Sequence, residues 1–201
     1  TNKLGNTIVP FHKKSQQKEK LMTKQCRDYF YDIINRLAEQ TEILIKHIVV
    51  HRDGRLHDTE TKGIEQALQK LKDDQLIDPD AAVTFVEIPK SAPAPLRLFA
   101  ISIKGNGDRH VDNPQAGNYY LLSESEGFVC TTGRAFGHKG TTKPLHVIKK
   151  SGPLSLEQCL QDIFFLSCLA WTRPEDCSRD PITIKLNERW LGEDGTDIAE
   201  E

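Results

Sequence analysis

The chain has 201 residues, of which 37% are hydrophobic and 28% are charged, so it can bury a core and is not predicted to be a disordered tail. It contains no apolar run of about 18 residues, as a membrane span requires, and its amino terminus lacks the pattern of a secretory signal, so we expect a soluble, cytoplasmic protein. The cysteines are odd in number and show no two-residue spacing, which argues against a disulfide framework and against a zinc ribbon.

Positive charge is concentrated in two stretches, although the formal net charge is −2. Between Lys3 and Arg27, seven Lys or Arg residues stand against the single acid Glu19. From Arg134 to Lys150, five basic residues occur without an acid, among Gly and Thr residues whose backbone N–H and hydroxyl groups suit phosphate oxygens. Ordinary surface lysines would explain either stretch alone. Together the two stretches make a polyanionic partner such as nucleic acid plausible.

The first half of the chain is predicted to alternate between helices and strands. Apolar residues three to five positions apart predict an amphipathic helix over residues 20–40. The next run, 43–50, is apolar and β-branched, which is typical of a strand that is buried on both faces in the middle of a sheet. A second helix is expected over 59–76 and a strand over 83–88.

The second half is predicted to consist mainly of short strands, separated by turns rich in Gly, Pro and Asn. These strands are expected over residues 96–103, 119–122, 128–132 and 145–149. Ser155 and Gln158 form a capping box, which predicts the start of an apolar and largely buried helix over 156–171. A last strand is expected over 182–186.

The most informative motif lies at the end of the first predicted strand, where the sequence reads His-Arg-Asp-Gly-Arg over residues 51–55. A carboxylate at the carboxyl end of a central strand faces the crevice in which open α/β sheets place their sites. Gly54 allows the chain to turn sharply behind that position. Asp53 is therefore predicted to hold a metal ion. The alternative is an ordinary Asp-Gly turn that closes a strand.

A family resemblance rests on this motif together with four later segments. The run Ile-Val-Val-His-Arg-Asp-Gly-Arg over 48–55 resembles the Piwi-domain strand whose Arg-Asp-Gly carries one catalytic aspartate of Argonaute proteins. The segments 113–122 and 140–146, the latter with the pattern Gly-Thr-x-x-Pro, resemble strands and a turn of the same family. The apolar helix at 156–171 and the closing segment 180–187 also fit, in the same order. The resemblance thus spans nearly the whole chain.

The resemblance implies an α/β fold: a ribonuclease H-like mixed sheet with flanking helices that is missing its first strands. Residues 1–201 would form the carboxy-terminal portion of the Piwi domain of a prokaryotic Argonaute. The first Piwi strands and the PAZ and middle domains would lie upstream, outside this chain. The implied function is guide-dependent nucleic-acid binding and endonucleolytic cleavage of a complementary target strand by two-metal-ion hydrolysis of the phosphodiester.

The resemblance also implies a set of catalytic residues, because active Piwi domains hold two Mg²⁺ or Mn²⁺ ions with three acids and a variable fourth residue. Asp53 matches the second aspartate. Glu19, the only acid between Thr1 and Arg27, is the candidate for the mobile glutamate. Asn187 is the candidate for the fourth residue, through its neutral carbonyl oxygen, and Glu188 competes with it. Since the first aspartate would precede residue 1, the chain alone is not expected to cleave.

The implied partners are a guide DNA or RNA, a complementary DNA or RNA target and the remaining Argonaute domains, without a membrane. Basic residues at positions suited to strand phosphates are candidates for the nucleic-acid contacts. These candidates are Lys90, Arg97, Lys143, Arg173, Arg179 and Lys185.

Two other functions stay open at this point. The first is a guided binding module that does not cut and acts through a partner effector; the presence of the upstream aspartate would separate it from a nuclease. The second is another ribonuclease H-like enzyme, such as a transposase or an integrase. Such an enzyme would share the sheet but would bind no guide.

Overall fold

The computed structural model describes residues 21–41, 44–89, 96–132, 142–169 and 179–186. The helices within these ranges are α1 (Thr23–Gln40), α2 (Asp58–Asp73) and α3 (Leu156–Cys168), together with a short helical turn at 182–186. The strands are β1 (His47–Asp53), β2 (Ala82–Ile88), β3 (Ala100–Ile103), β4 (Arg109–Asp112), β5 (Tyr119–Leu121), β6 (Glu126–Val129) and β7 (Leu145–Ser151).

Five of these strands form one mixed sheet in the order β1-β2-β7-β6-β5. The strands β1 and β2 run parallel, with Asp53 paired to Ile88 at their carboxyl ends, and the other pairs are antiparallel. The strands β3 and β4 form a separate two-stranded sheet. The predicted α/β class with a mixed sheet and flanking helices is therefore confirmed.

The two faces of the sheet are covered by different helices. On one face, α1 and α2 pack around Phe85 of β2. On the other face, α3 packs against Val86, the next residue of the same strand. Successive side chains of a strand point to opposite faces, so β2 contributes to both cores. Among the helices of the described ranges, none is long and apolar enough to cross a membrane.

The contact between α1 and α2 is close because one of its residues is glycine. A Cβ atom at Gly63 would lie 2.6 Å from the Thr23 carbonyl oxygen and 2.8 Å from Cys26 Cβ. Both distances are shorter than real Cβ contacts, so a larger residue would force the helices apart. Burial raises the pKa of Cys26 to about 12, which makes it a structural thiol.

One prediction about the strands is wrong. Residues 182–186 are helical, because the backbone N–H groups of Ile184 and Lys185 donate to the Pro181 carbonyl oxygen. Proline suits the start of a helix, and this preference outweighs the β-branched residues that follow. Strand β1, which was expected in the middle of the sheet, pairs with β2 among the described strands, and its Val49 is 38% exposed. Its central position stays a prediction, because residues 1–20 lie outside the described ranges.

The predicted helix at 156–171 begins as expected and is described to Cys168. The Ser155 hydroxyl accepts from the Gln158 backbone N–H, and the Gln158 side chain accepts from the Ser155 N–H, which confirms the capping box. The core-facing side of this helix is buried as expected, with Leu156, Cys159, Leu160 and Ile163 at 4% exposure or less, whereas Phe165 is 62% exposed. An apolar helix on the outside of a sheet has one face towards the core, so its other side chains remain in solvent.

Candidate active site and nucleic-acid interface

Asp53 is the last residue of β1, and its side chain is half-buried. The next residue, Gly54, has a φ of 84°, a left-handed conformation that favours glycine, and its N–H donates to the Ile88 carbonyl oxygen at 3.2 Å. The chain therefore turns away directly behind the carboxylate. The predicted position of Asp53 at the carboxyl end of a strand is confirmed, whereas its role as a metal ligand stays a prediction.

A buried carboxylate, Glu60, joins three elements beside Asp53. One Glu60 oxygen accepts from the His57 N–H at 3.0 Å and lies 3.5 Å from Arg52 Nε. The other lies 3.4 Å from the backbone N of Leu21, which precedes α1. Arg52 Nη1 in turn donates to the Asp53 carbonyl oxygen at 2.6 Å. Glu60 thus connects the starts of α1 and α2 with the last two residues of β1.

Glu60 was not among the residues predicted from the sequence, although a local signal for it was present. Glu60 occupies the third position of α2, where a glutamate often accepts from the backbone at the helix start. A second buried carboxylate, Glu87, lies on β2 in register with Arg52. It accepts from the Leu56 N–H at 2.9 Å and lies 3.7 Å from Lys150 Nζ. The loop that follows Asp53 is therefore held from β2 as well.

The helical turn at 182–186 lies against the same strand. His51 Nδ1 is 2.9 Å from the Thr183 hydroxyl. Burial lowers the pKa of His51 to about 4, so its ring is neutral at pH 7. Because side chains alternate along a strand, His51 and Asp53 point to the same face of the sheet. We call Asp53, His51, Arg52, Glu60 and Thr183 together the β1 end.

Two of the predicted catalytic residues, Glu19 and Asn187, lie outside the described residues, and so does the competing Glu188. In the part of the chain that the structure describes, no group of three or more His, Cys, Asp or Glu side chains could hold a metal ion. The described residues thus supply one predicted ligand, Asp53. A complete metal site at the β1 end would need donors from elsewhere in the polypeptide.

A second polar region is a cleft beside the start of β7, which we call the β7 cleft. It has about 330 Å³ of empty volume, including the part open to solvent. Its lining residues are Pro89, Leu96, Phe128, Lys143, Pro144, His146 and Arg179. The cleft brings together two of the predicted phosphate-binding residues, Lys143 and Arg179, which are distant in sequence. The Thr131 hydroxyl donates to the Arg179 carbonyl oxygen at 2.6 Å and ties that segment to the end of β6.

His146 is the most buried polar side chain of the β7 cleft, with 3% of its surface exposed. Its Nε2 is 2.7 Å from a carboxylate oxygen of Glu126, and its ring stacks on Phe128 with 4.6 Å between the ring centres. The other ring nitrogen, Nδ1, is buried and has no hydrogen-bond partner. The ring is therefore held in one orientation, with one polar atom unsatisfied.

The other predicted phosphate-binding residues are not brought to this cleft by any described contact. Arg97 is exposed and donates to the Leu96 carbonyl oxygen, and Lys185 is half-buried in the helical turn. Lys90 and Arg173 lie outside the described residues.

Comparisons with known proteins give matches to solved structures. No family model and no curated protein sequence matches the chain. Clostridium butyricum Argonaute bound to a guide DNA and a 19-mer target DNA matches 88% of this chain with a TM-score of 0.64 and 22% identity. Aquifex aeolicus Argonaute matches 84% with a TM-score of 0.56 and 22% identity, and its structure with externally bound siRNA matches 84% with a TM-score of 0.55 and 23% identity.

These matches identify the fold. The chain has the ribonuclease H-like, mixed α/β fold of a Piwi-like region in prokaryotic Argonautes. It spans 21% of the length of each of those Argonaute chains. A shared fold does not by itself determine an activity. The function of this chain therefore depends on the residues of the β1 end and the β7 cleft.

Proposed function

We propose that this chain is part of a guide-dependent nuclease, which holds a guide strand paired to a target strand and cleaves the target by two-metal-ion hydrolysis. The observation that carries the proposal is the convergence of two remote chain segments on the β1 end. Each of these segments adjoins a predicted catalytic residue. Each segment is linked to the β1 end by a polar contact, Leu21 with Glu60 and Thr183 with His51.

The first segment leads to Glu19. Leu21 follows Glu19 by two residues, and its backbone N lies 3.4 Å from Glu60, which also contacts Arg52. Two residues span at most about 7 Å of extended chain. This separation along the chain supports Glu19 as a candidate ligand at the strand end that carries Asp53.

The second segment leads to Asn187. Thr183 contacts His51, which shares a sheet face with Asp53. Asn187 follows Thr183 by only four residues, and this short separation along the chain supports it as a candidate ligand near the same strand. Glu188 remains the alternative, because it is one residue further along. A carboxylate there would add a charge that the asparagine amide lacks.

In this proposal Asp53, Glu19 and Asn187 hold two Mg²⁺ or Mn²⁺ ions together with a donor from the rest of the polypeptide. Their oxygen atoms are the ligand type that such hard cations prefer. When bound, such ions supply an activated water and stabilise the leaving oxygen. The residues of this chain would position the ligands. Glu60 and Arg52 fix the Asp53 backbone, and His51 fixes the helical turn.

The nucleic-acid partner would be held mainly through its backbone. Lys143 and Arg179 lie in one cleft, where two cations suit a phosphate. We propose Lys90, Arg97, Arg173 and Lys185 as further phosphate contacts along the strand. The Clostridium butyricum Argonaute, which shares the fold, was solved with a guide DNA and a target DNA, and this supports a paired duplex as the partner.

The test uses the complete polypeptide that contains this chain, loaded with a guide and given a labelled target in Mg²⁺ or Mn²⁺. We expect one cut at a position set by the guide, and no cut with a non-complementary target or in EDTA. Cleavage that is independent of the guide would overturn the proposal and would favour a transposase-like or integrase-like enzyme.

A second candidate is a guided binding module that does not cut and acts through a partner effector. The same assay decides between the two candidates, because this module would retain the guide and the target but would leave the target intact.

A further inference from the structure

We propose that Tyr120 is a stacking platform for an unpaired base of a strand whose phosphate lies in the β7 cleft. The inference rests on the proposed function in one respect, namely that Lys143 and Arg179 bind strand phosphates. It adds an uncharged contact between an exposed aromatic ring and a base.

Tyr120 lies on the face of the sheet that carries the β7 cleft. It pairs directly opposite Phe128, which lines the cleft. Side chains directly opposite each other in an antiparallel pair point to the same face, with Cβ atoms about 5 Å apart. Phe128 pairs in turn with His146 of β7, and these two rings stack with 4.6 Å between their centres. The three rings thus form a row across β5, β6 and β7.

Tyr120 is the exposed member of this row. Phe128 and His146 are 6% and 3% exposed, whereas Tyr120 is 50% exposed. A half-exposed tyrosine ring offers apolar surface, and it is favourable for a ligand to cover that surface. Tyrosine has two side-chain torsions, so little entropy is lost when its ring is ordered against a ligand.

The charges on this face decide which part of a strand lies on Tyr120. Arg179 contacts Thr131, two residues beyond the end of β6, and lines the cleft together with Lys143. The acid Glu126 lies on the same face at the start of β6, because it precedes the cleft residue of that strand by two positions. A phosphate is attracted to the cations and repelled from the acid. The part of the strand that crosses β5 between them is therefore the uncharged part of a nucleotide, its base.

An unpaired base fits this position because every base has a flat π face. Proteins that hold single strands combine basic residues along the backbone with aromatic side chains on which bases stack. The neighbouring Tyr119 is 42% exposed but lies on the other face, since it pairs with Val129 in the core beneath α3. It provides a matched control, because it differs from Tyr120 in the face to which it points.

The test measures the binding of a single strand to the complete polypeptide by fluorescence anisotropy at several salt concentrations. Tyr120→Leu keeps an apolar side chain but removes the ring, and we expect it to weaken binding at least about fivefold. Tyr120→Phe keeps the ring and should bind like wild type, as should the control Tyr119→Leu. If folded Tyr120→Leu binds like wild type, or if Tyr119→Leu weakens binding equally, the inference is overturned.

A series of strands with one abasic site each, tested as guides, identifies the base. With wild type, we expect one position at which loss of the base weakens binding about as much as loss of the Tyr120 ring. With Tyr120→Leu, the same abasic site should have no further effect, because ring and base form one contact. If the two losses add at every position, the base does not lie on Tyr120 and the inference is overturned.

Lys143→Ala separates this inference from the proposed function. It should weaken binding and lower the slope of log affinity against log salt by about one, whereas Tyr120→Leu should leave the slope unchanged, since stacking neutralises no phosphate. If Lys143→Ala changes neither quantity, the phosphate contact of the proposed function fails. If it changes both while Tyr120→Leu binds like wild type, the phosphate contact stands and the stacking assignment alone fails.

Discussion

The β1 end and the β7 cleft are two polar regions of one sheet that satisfy their polar groups in different ways. At the β1 end, the buried Glu60 carboxylate is met by backbone N–H groups and by Arg52. In the cleft, cations and a buried unpartnered nitrogen of His146 occur together, and no acid is among the described residues that line it. Each region also contains a buried histidine nitrogen without a hydrogen-bond partner, Nε2 of His51 and Nδ1 of His146. The difference lies in the charges: a buried acid is paired at the β1 end, whereas cations line the cleft. Cutting and strand binding should therefore be separable by mutation.

The largest effect is expected from Asp53→Ala in the complete polypeptide. Cleavage should fall by at least about 1,000-fold, or about 4 kcal/mol of transition-state stabilisation, because a metal-binding carboxylate is lost. Guide loading should stay at the wild-type level, measured by the guide retained after purification. Asp80→Ala, at an exposed acid in the loop before β2, is the matched control. Unchanged cutting by the Asp53 variant would refute the catalytic assignment.

An intermediate effect is expected from Glu60→Ala, which removes the centre of the β1 end. The backbone N–H groups of Leu21 and His57 would lose their acceptor, so local opening should become easier by about 2 kcal/mol, or roughly 30-fold faster exchange. Hydrogen exchange of peptides that cover the starts of α1 and α2 measures this change. Glu65→Ala, at an exposed acid on the same helix, should exchange like wild type. If both variants exchange alike, Glu60 is not the connecting residue.

The smallest effect is expected from Lys143→Ala and Arg179→Ala in the β7 cleft. Each should weaken strand binding several-fold and lower the slope of log affinity against log salt by about one, because one phosphate contact is lost. Cleavage at saturating target should be unchanged. Lys104→Ala, at an exposed position between β3 and β4, serves as the control. A variant with the wild-type salt slope would mean that its cation does not contact a phosphate.

The order of the elements could be predicted from the sequence, because it depends on local patterns. Helical spacing of apolar residues predicted α1 and α2 to within a few residues, and a β-branched run with a following Asp-Gly predicted the end of β1. The helical turn at 182–186 was missed, although Asp180 and Pro181 before it are a helix-start signal. The β-branched residues 182–184 favour a strand, but the helix start at Pro181 determines the conformation.

The site could be predicted only in part, because most of its contacts are remote in sequence. The position of Asp53 follows from its strand and from Gly54, which are neighbours. Glu60 meets Leu21 across 39 residues, and His51 meets Thr183 across 132. Such pairings depend on how the helices pack on the sheet, which residue periodicity does not determine. The positions of Lys143 and Arg179 in one cleft also depend on this packing.

The close contact between α1 and α2 at Gly63 makes the β1 end sensitive to substitution at this position. Because α1 and α2 are in close contact at this position, a larger side chain would displace α1. Since Leu21 at the start of α1 reaches Glu60, that displacement would be passed on to Arg52 and the Asp53 backbone. A methyl group added at Gly63 would therefore change the geometry at Asp53 through the packing of α1 on α2, without contacting the carboxylate itself.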